Sequence, residues 1–87
     1  MRIEFENVAD LIMKIAVEPW AEEFDLARDE RLLLEFDGGG EARPFVQISA
    51  NRLTVHAWPG STFSAFRNGI VVPGAGDIPA PGFPARD

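Results

Sequence analysis

The chain has 87 residues, which is enough for a single domain whose core is only just large enough to fold. It contains no cysteine, which excludes a disulfide framework, a thiolate metal site and a cysteine nucleophile. The formal charge of −6 argues against nucleic-acid binding, because phosphate contacts need clustered lysine and arginine side chains. No apolar run approaches the length of a membrane span and no secretory signal pattern is present, so we expect a cytoplasmic protein without membrane association.

The charge is divided unevenly along the chain. Residues 1–41 hold 12 acidic and four basic residues, a formal charge of −8. Residues 42–87 hold two acidic and four basic residues, a formal charge of +2. Surfaces of opposite charge attract each other, so this division favours a head-to-tail or two-fold homodimer.

Apolar residues recur at every second position over most of the chain, a period typical of half-buried β-strands. Candidate strands lie at residues 2–6, 11–17, 24–26, 31–37, 45–50, 52–58, 62–67 and 70–72. In the fourth of them, Leu32, Leu34 and Phe36 are expected to point inward. The pattern predicts an all-β fold of about six to seven short strands, either a small antiparallel β-sandwich or a partly open barrel.

The segment 11–17 is ambiguous because it is apolar on nearly all sides. Pro19 lacks an amide proton and disfavours helical conformation in the residue before it, which favours a strand. A helix capped by Asp10 is the alternative.

Turn residues mark four points of the chain. The three glycines at 38–40 predict a hairpin loop rather than a phosphate-binding loop, because no Lys-Ser or Lys-Thr pair follows them. Pro59-Gly60 is typical of the centre of a type II turn, and Asn68-Gly69 is typical of a β-hairpin. Asn51 is expected to adopt the left-handed conformation in a tight turn before residue 52.

The composition changes at residue 73. Residues 1–72 are expected to form a single β domain, and residues 73–87 a proline- and glycine-rich extended tail that cannot build a core. Ile78 and Phe83 are the only sizeable apolar residues of this tail. We predict that they dock it onto the domain or onto a neighbouring chain.

The stretch Glu18-Pro19-Trp20-Ala21-Glu22-Glu23-Phe24 combines large apolar side chains with acidic ones. Trp20 is expected to fix the bend between two strands, with the acidic residues around it as a solvated rim. Exposed tryptophan is enriched at protein interfaces. We therefore predict a partner-binding surface with five members: Trp20, Glu22, Glu23, Asp25 and Trp58.

Side chains that could support catalysis or bind a metal are sparse. His56 is the only histidine, and it cannot supply the ligand set of a zinc centre alone, so we expect no metal and no cofactor. The acidic residues after Trp20 lack the spacing and turn glycine of a calcium loop. No nucleophile motif surrounds the serines. We therefore expect a protein that is not an enzyme.

Residues 7–69 resemble a group of short, uncharacterised, acidic bacterial proteins. These carry a Glu-Pro-Trp box followed by an acidic pair and an aromatic residue, here residues 18–24. In that group a Pro-Gly-Glu turn often follows the next leucine, whereas this chain has Arg28-Asp29-Glu30. No activity is attached to the group, so the resemblance implies a β-class architecture only.

The leading hypothesis is a non-enzymatic interaction module that presents the Trp20 corner and the acidic half to a protein partner, either a basic protein or a second copy of itself. One alternative is a small barrel that binds a ligand, or a minor enzyme, with His56 in its cavity. The other is an acidic inhibitor of the immunity or antitoxin type.

Overall fold

The computed structural model of the chain describes residues 1–74 and 76–80, which form eight β-strands and no helix. In chain order the strands are β1 (Arg2–Glu6), β2 (Met13–Glu18), β3 (Glu22–Leu26), β4 (Arg31–Gly38), β5 (Phe45–Ser49), β6 (Arg52–His56), β7 (Ser61–Arg67) and β8 (Ile70–Val72). The first sheet has the order β1-β4-β7-β8, and the second has the order β3-β2-β6-β5. The predicted all-β sandwich is confirmed. A strand overlaps each of the eight candidate segments, although the fold was predicted to have about six to seven strands.

The segment before Pro19 forms a strand, so the helix capped by Asp10 is wrong. β2 begins at Met13, and residues 15–17 are fully buried. Residues 11–12 precede the strand and are exposed, which shortens the predicted element at its start.

One strand pair departs from the expected antiparallel arrangement. β2 and β6 run parallel, with Ile15 opposite Leu53 and Val17 opposite Val55. Alternating apolar residues fix which face of a sheet a side chain takes, but they do not fix the direction of the neighbouring strand. The sequence pattern was therefore compatible with either direction.

The space between the two sheets is filled by apolar side chains from both of them. In β4 the predicted alternation is confirmed, since Leu32, Leu34 and Phe36 are buried. The core cluster consists of Ile15, Val17, Phe24, Leu26, Leu32, Leu34, Phe36, Val55, Ala57, Trp58, Phe63 and Ala65. This interior is a packed core and not an open barrel lumen.

Two of the predicted turns have the expected geometry. Asn68 and Gly69 have φ angles of 51° and 85°, as a two-residue hairpin between β7 and β8 requires. At Pro59-Gly60, Gly60 has a φ of 83° and the N–H of Ser61 donates to the carbonyl of Trp58, as in a type II turn. Asn51 does not take the positive φ that was expected of it.

Residues 76–80 of the predicted tail lie against β7. Its contacts come from backbone groups and from small residues, since Gly76 and Ala80 are buried. The side chain of Ile78 is 76% exposed, so the prediction that it docks the tail is wrong. Phe83 lies outside the described residues.

Asn7 follows the end of β1 and joins it to the end of β3 and to the loop that precedes β2. Its Nδ2 donates to the carbonyl of Leu11 at 2.8 Å and to the carbonyl of Leu26 at 2.9 Å, while its Oδ1 accepts from the N–H of Ala9 at 2.9 Å. Asn7 is only 4% exposed, so these bonds satisfy polar groups of its side chain that have little access to water.

We expect Asn7→Ala to lower the free energy of unfolding by about 2 kcal/mol, because buried carbonyls lose their donors. Urea unfolding followed by tryptophan fluorescence measures the change. Val8→Ala is the control, since Val8 is 71% exposed. Equal effects of the two substitutions would show that Asn7 does not hold the strand ends.

Candidate functional site

Trp20 occupies the corner between β2 and β3, as predicted. Its ring meets Phe63 edge-on, with the ring centroids 4.7 Å apart. Its indole Nε1 donates a hydrogen bond to the backbone carbonyl of Ile78. Trp20 is half-buried against the core, so the polar edge that a partner was expected to meet is already bonded within the chain.

Trp58 belongs to the core rather than to a partner surface, contrary to the prediction. It is 5% exposed, and its Nε1 donates to the carbonyl of Gly38 at 3.0 Å. The glycine loop covers it closely: a Cβ at Gly39 would lie 2.8 Å from the indole ring and 2.6 Å from the carbonyl of Pro59. The glycine run thus allows a loop to lie over an aromatic ring.

The acidic residues after Trp20 do not form one acidic surface. Glu23 and Asp25 lie on the outer face of the second sheet, while Glu22 takes the alternate position and is half-buried. Lys14 is 3.1 Å from Asp25 and 3.5 Å from Glu23. Arg52 is 3.1 Å from Glu23. Bases alternate with acids on this face, so its local charge is close to balanced.

The two oppositely charged halves of the sequence meet inside one chain. Arg52 of the second half pairs with Glu23 of the first. Arg67 lies 3.3 Å from Glu30 and donates to the backbone carbonyl of Asp25 at 2.8 Å. The uneven charge along the sequence therefore gives no support to a head-to-tail dimer, because folding already brings the two halves together.

These ion pairs shift two ionisation equilibria. Hydrogen bonding to Arg52, and then the charge of Lys14, holds the pKa of Glu23 below its usual value. Hydrogen bonding to Asp25 and its charge raise the pKa of Lys14, with a further contribution from Glu23. All of these groups are solvent-exposed, so water and salt screen the interactions strongly.

His56 lies on the outer face of the second sheet and not in a barrel interior. Its Nε2 is 2.7 Å from Oε1 of Gln47, and its ring centroid is 5.4 Å from that of Phe45. Together with Arg43 and Pro59 these side chains line an open groove of about 470 Å³. The interior that the ligand-binding barrel would need is filled by the core.

Two further concave surfaces are present. One, of about 590 Å³, lies on the outer face of the first sheet around Leu33 and Phe66, and its rim includes the ion pair between Arg2 and Glu35 at 2.6 Å. The other, of about 220 Å³, is mainly apolar and lies at the end of the core beside Asn7. Neither contains any of the residues predicted to bind a partner.

The surface that sequence reasoning missed is β5. This strand ends the second sheet and pairs with β6 alone among the described strands. All five of its residues are exposed, including Phe45 at 58%, Val46 at 40% and Ile48 at 77%. The uncharged run from Phe45 to Ser49 was visible in the sequence, but its position at a sheet edge was not.

Within residues 1–74 and 76–80, no group of three or more histidine or acidic side chains could hold a metal ion. The same part of the chain has no helix that is long and apolar enough to cross a membrane. No protein-family model, curated protein or solved structure matches the chain. The resemblance to short acidic bacterial proteins therefore remains a prediction.

We expect Glu23→Gln to lower the melting temperature slightly at pH 7, because the variant loses its ion pairs. The pKa of Glu23 in the folded chain lies below its ordinary value of 4.5, so its stabilisation is present above that pH and is lost as the pH falls through the lowered pKa. The difference from wild type should therefore shrink as the pH falls below 4.5, and it should vanish once the carboxyl is protonated in both the folded and unfolded states.

Thermal unfolding at a series of pH values tests this dependence. Glu4→Gln is the control, because Glu4 is exposed and makes no ion pair with the described residues. A difference between wild type and Glu23→Gln that stays constant down to pH 2 would contradict the role given to the carboxylate charge.

Proposed function

We propose that the protein is a non-enzymatic interaction module that associates with a second copy of itself through β5. The observation that carries the proposal is that this edge strand has five residues, all exposed and none charged. An edge strand presents unpaired N–H and C=O groups that can bond to a further strand. The apolar side chains of β5 are exposed, and burying them against a further strand would also favour such pairing.

The other three sheet edges carry protection that β5 lacks. Three of the five residues of β1 (RIEFE) are charged, and charged side chains discourage strand addition. Three of the five residues of β3 (EEFDL) are acidic, so pairing with a copy of itself would bring like charges together. β8 has only three residues. β5 is therefore the edge best suited to self-pairing.

The alternation of side chains favours one register. With a two-fold axis through Gln47 and perpendicular to the sheet, Val46 of one protomer lies opposite Ile48 of the other. Both residues lie on the inner-face side of the second sheet, level with Val55 and Leu53 of β6. The pairing therefore brings together four apolar side chains, Val46 and Ile48 from each protomer. If the register shifted by one residue, these side chains would lie opposite the polar residues of the other protomer.

β5 can pair with a second copy of itself without charge repulsion along the strand, because it contains no acidic side chain. The whole chain carries a charge of −6, and its uncharged edge is where two copies approach with the least repulsion. The contact is confined to one short strand, so we expect it to bury less than about 1,200 Å². The dimer should therefore dissociate on dilution.

We expect Ile48→Lys to raise the dissociation constant of the dimer at least about tenfold, since a charged side chain would enter the apolar cluster. Sedimentation velocity over a range of protein concentrations, at low and high salt, measures this. Ile70→Lys on β8 is the matched control, because Ile70 is 72% exposed and Ile48 is 77% exposed. A wild-type chain that is monomeric throughout, or equal weakening by both variants, would refute the proposal.

The register is tested by single cysteines, since the natural chain has none. We expect Gln47→Cys to form a disulfide-linked dimer on mild oxidation, because residues opposite each other in an antiparallel pair lie about 5 Å apart between Cα atoms. Ser49→Cys is the control, since its two copies would lie about 13 Å apart along the strands. Equal rates of crosslinking would rule out pairing centred on Gln47.

A further inference from the structure

A second binding surface is occupied by the chain itself. β8 pairs with residues 65–67 of β7 and leaves the start of that strand open. Residues 76–80, which we call the C-terminal segment, lie along this open part. Three backbone hydrogen bonds hold the segment: Phe63 N to Gly76 O at 3.2 Å, Ala80 N to Ser61 O at 2.8 Å, and Gly60 N to Ala80 O at 2.8 Å.

The other side of the segment is held from the second sheet. The indole Nε1 of Trp20 donates to the carbonyl of Ile78, in the middle of the segment. The ring of Trp20 in turn rests edge-on against Phe63 of β7. The C-terminal segment is thus bonded through its backbone by a strand edge on one side and by a tryptophan side chain on the other.

The geometry restricts which residues can occupy the two ends of the segment. Gly76 has a φ of 65° and packs so closely on Phe63 that a Cβ there would overlap the ring. Ala80 is 5% exposed, which leaves little room for a larger side chain. The side chains of residues 77–79 face solvent. The site therefore selects a glycine and, four positions later, a small residue.

We propose that Trp20, Gly60, Ser61 and Phe63 form a peptide-binding site, the Trp20 site. Its ligand is a segment of a protein partner with the spacing Gly-x-x-x-Ala, and the C-terminal segment occupies the site in cis. Backbone hydrogen bonds to the start of β7 supply affinity, and the two small-residue positions supply selectivity. The site shares no residue with β5, so this inference goes beyond the self-association proposed above.

Occupation in cis blocks ligands supplied from outside. A tethered segment acts at an effective concentration on the order of mM, so a free peptide competes poorly with it. Removing the segment from its place should therefore open the Trp20 site. Gly76→Ala does this in the full chain, because the added methyl group would overlap the Phe63 ring.

Gly74→Ala is the matched control for that variant. Gly74 has a φ of 80°, close to the 65° of Gly76, so both substitutions incur backbone strain. Only Gly76 has neighbours that a Cβ would meet, since nothing lies within 4 Å of one at Gly74. Ala80→Arg is a second releasing variant, because a guanidinium does not fit at a buried alanine.

The readout is the indole N–H resonance of Trp20 in nitrogen–proton correlation spectra, assigned by its loss in Trp20→Phe. We expect this resonance to move in Gly76→Ala and in Ala80→Arg, because the bond to Ile78 is lost, and to stay in Gly74→Ala. Adding the peptide acetyl-Gly-Asp-Ile-Pro-Ala-amide to either releasing variant should return the resonance to its wild-type position in a saturable manner.

The peptide should bind the releasing variants at least about tenfold more tightly than the wild-type chain, where the site is filled. The peptide acetyl-Ala-Asp-Ile-Pro-Ala-amide should not bind, because it lacks the glycine. An indole resonance that stays in place in both releasing variants, or that moves but is not restored by the glycine peptide, overturns the proposal. Binding of both peptides with equal affinity overturns the selectivity.

Discussion

A row of four aromatic rings joins the two sheets, and much of the remaining structure depends on it. Trp58 contacts Phe36 at 5.5 Å, Phe36 contacts Phe63 at 5.7 Å, and Phe63 contacts Trp20 at 4.7 Å, measured between ring centroids. The tryptophans come from the loops that follow β2 and β6 of the second sheet, and the phenylalanines come from β4 and β7 of the first. Each such pair contributes about 0.5–1.5 kcal/mol beyond simple burial. In a domain this small, that is a substantial share of the total stability.

The same row explains why neither tryptophan is free to meet a partner. Each indole N–H donates to a backbone carbonyl, that of Gly38 for Trp58 and that of Ile78 for Trp20. Glycines allow the covering segments to come close, with Gly39 over Trp58 and Gly76 over Phe63. The aromatic residues thus hold a loop and the C-terminal segment in place. While that segment stays bound, contact with other chains has to use a different part of the surface.

Local patterning predicted the sandwich class, the buried residues of β4 and the hairpin at Asn68-Gly69, because each depends on neighbours a few residues apart. Local patterning did not predict the buried hydrogen bonds of Asn7. An asparagine that only forms a turn and one that bonds to neighbouring chain segments look the same in the sequence. Local patterning also predicted an acidic surface near Trp20. That surface is absent because Lys14 and Arg52 come from neighbouring strands that the sequence does not identify.

The position of β5 depends on the parallel pair, which local sequence patterns do not specify. Because β6 pairs with β2, the short hairpin places β5 outside β6, at the end of the second sheet. Edges of natural sheets are usually protected by charge, brevity or a covering segment. β1 and β3 carry charge and β8 is short, while the open part of β7 is covered by the C-terminal segment. Among the described residues, β5 is the edge strand with none of these protections, and this contrast is the reason for proposing that a further strand pairs there.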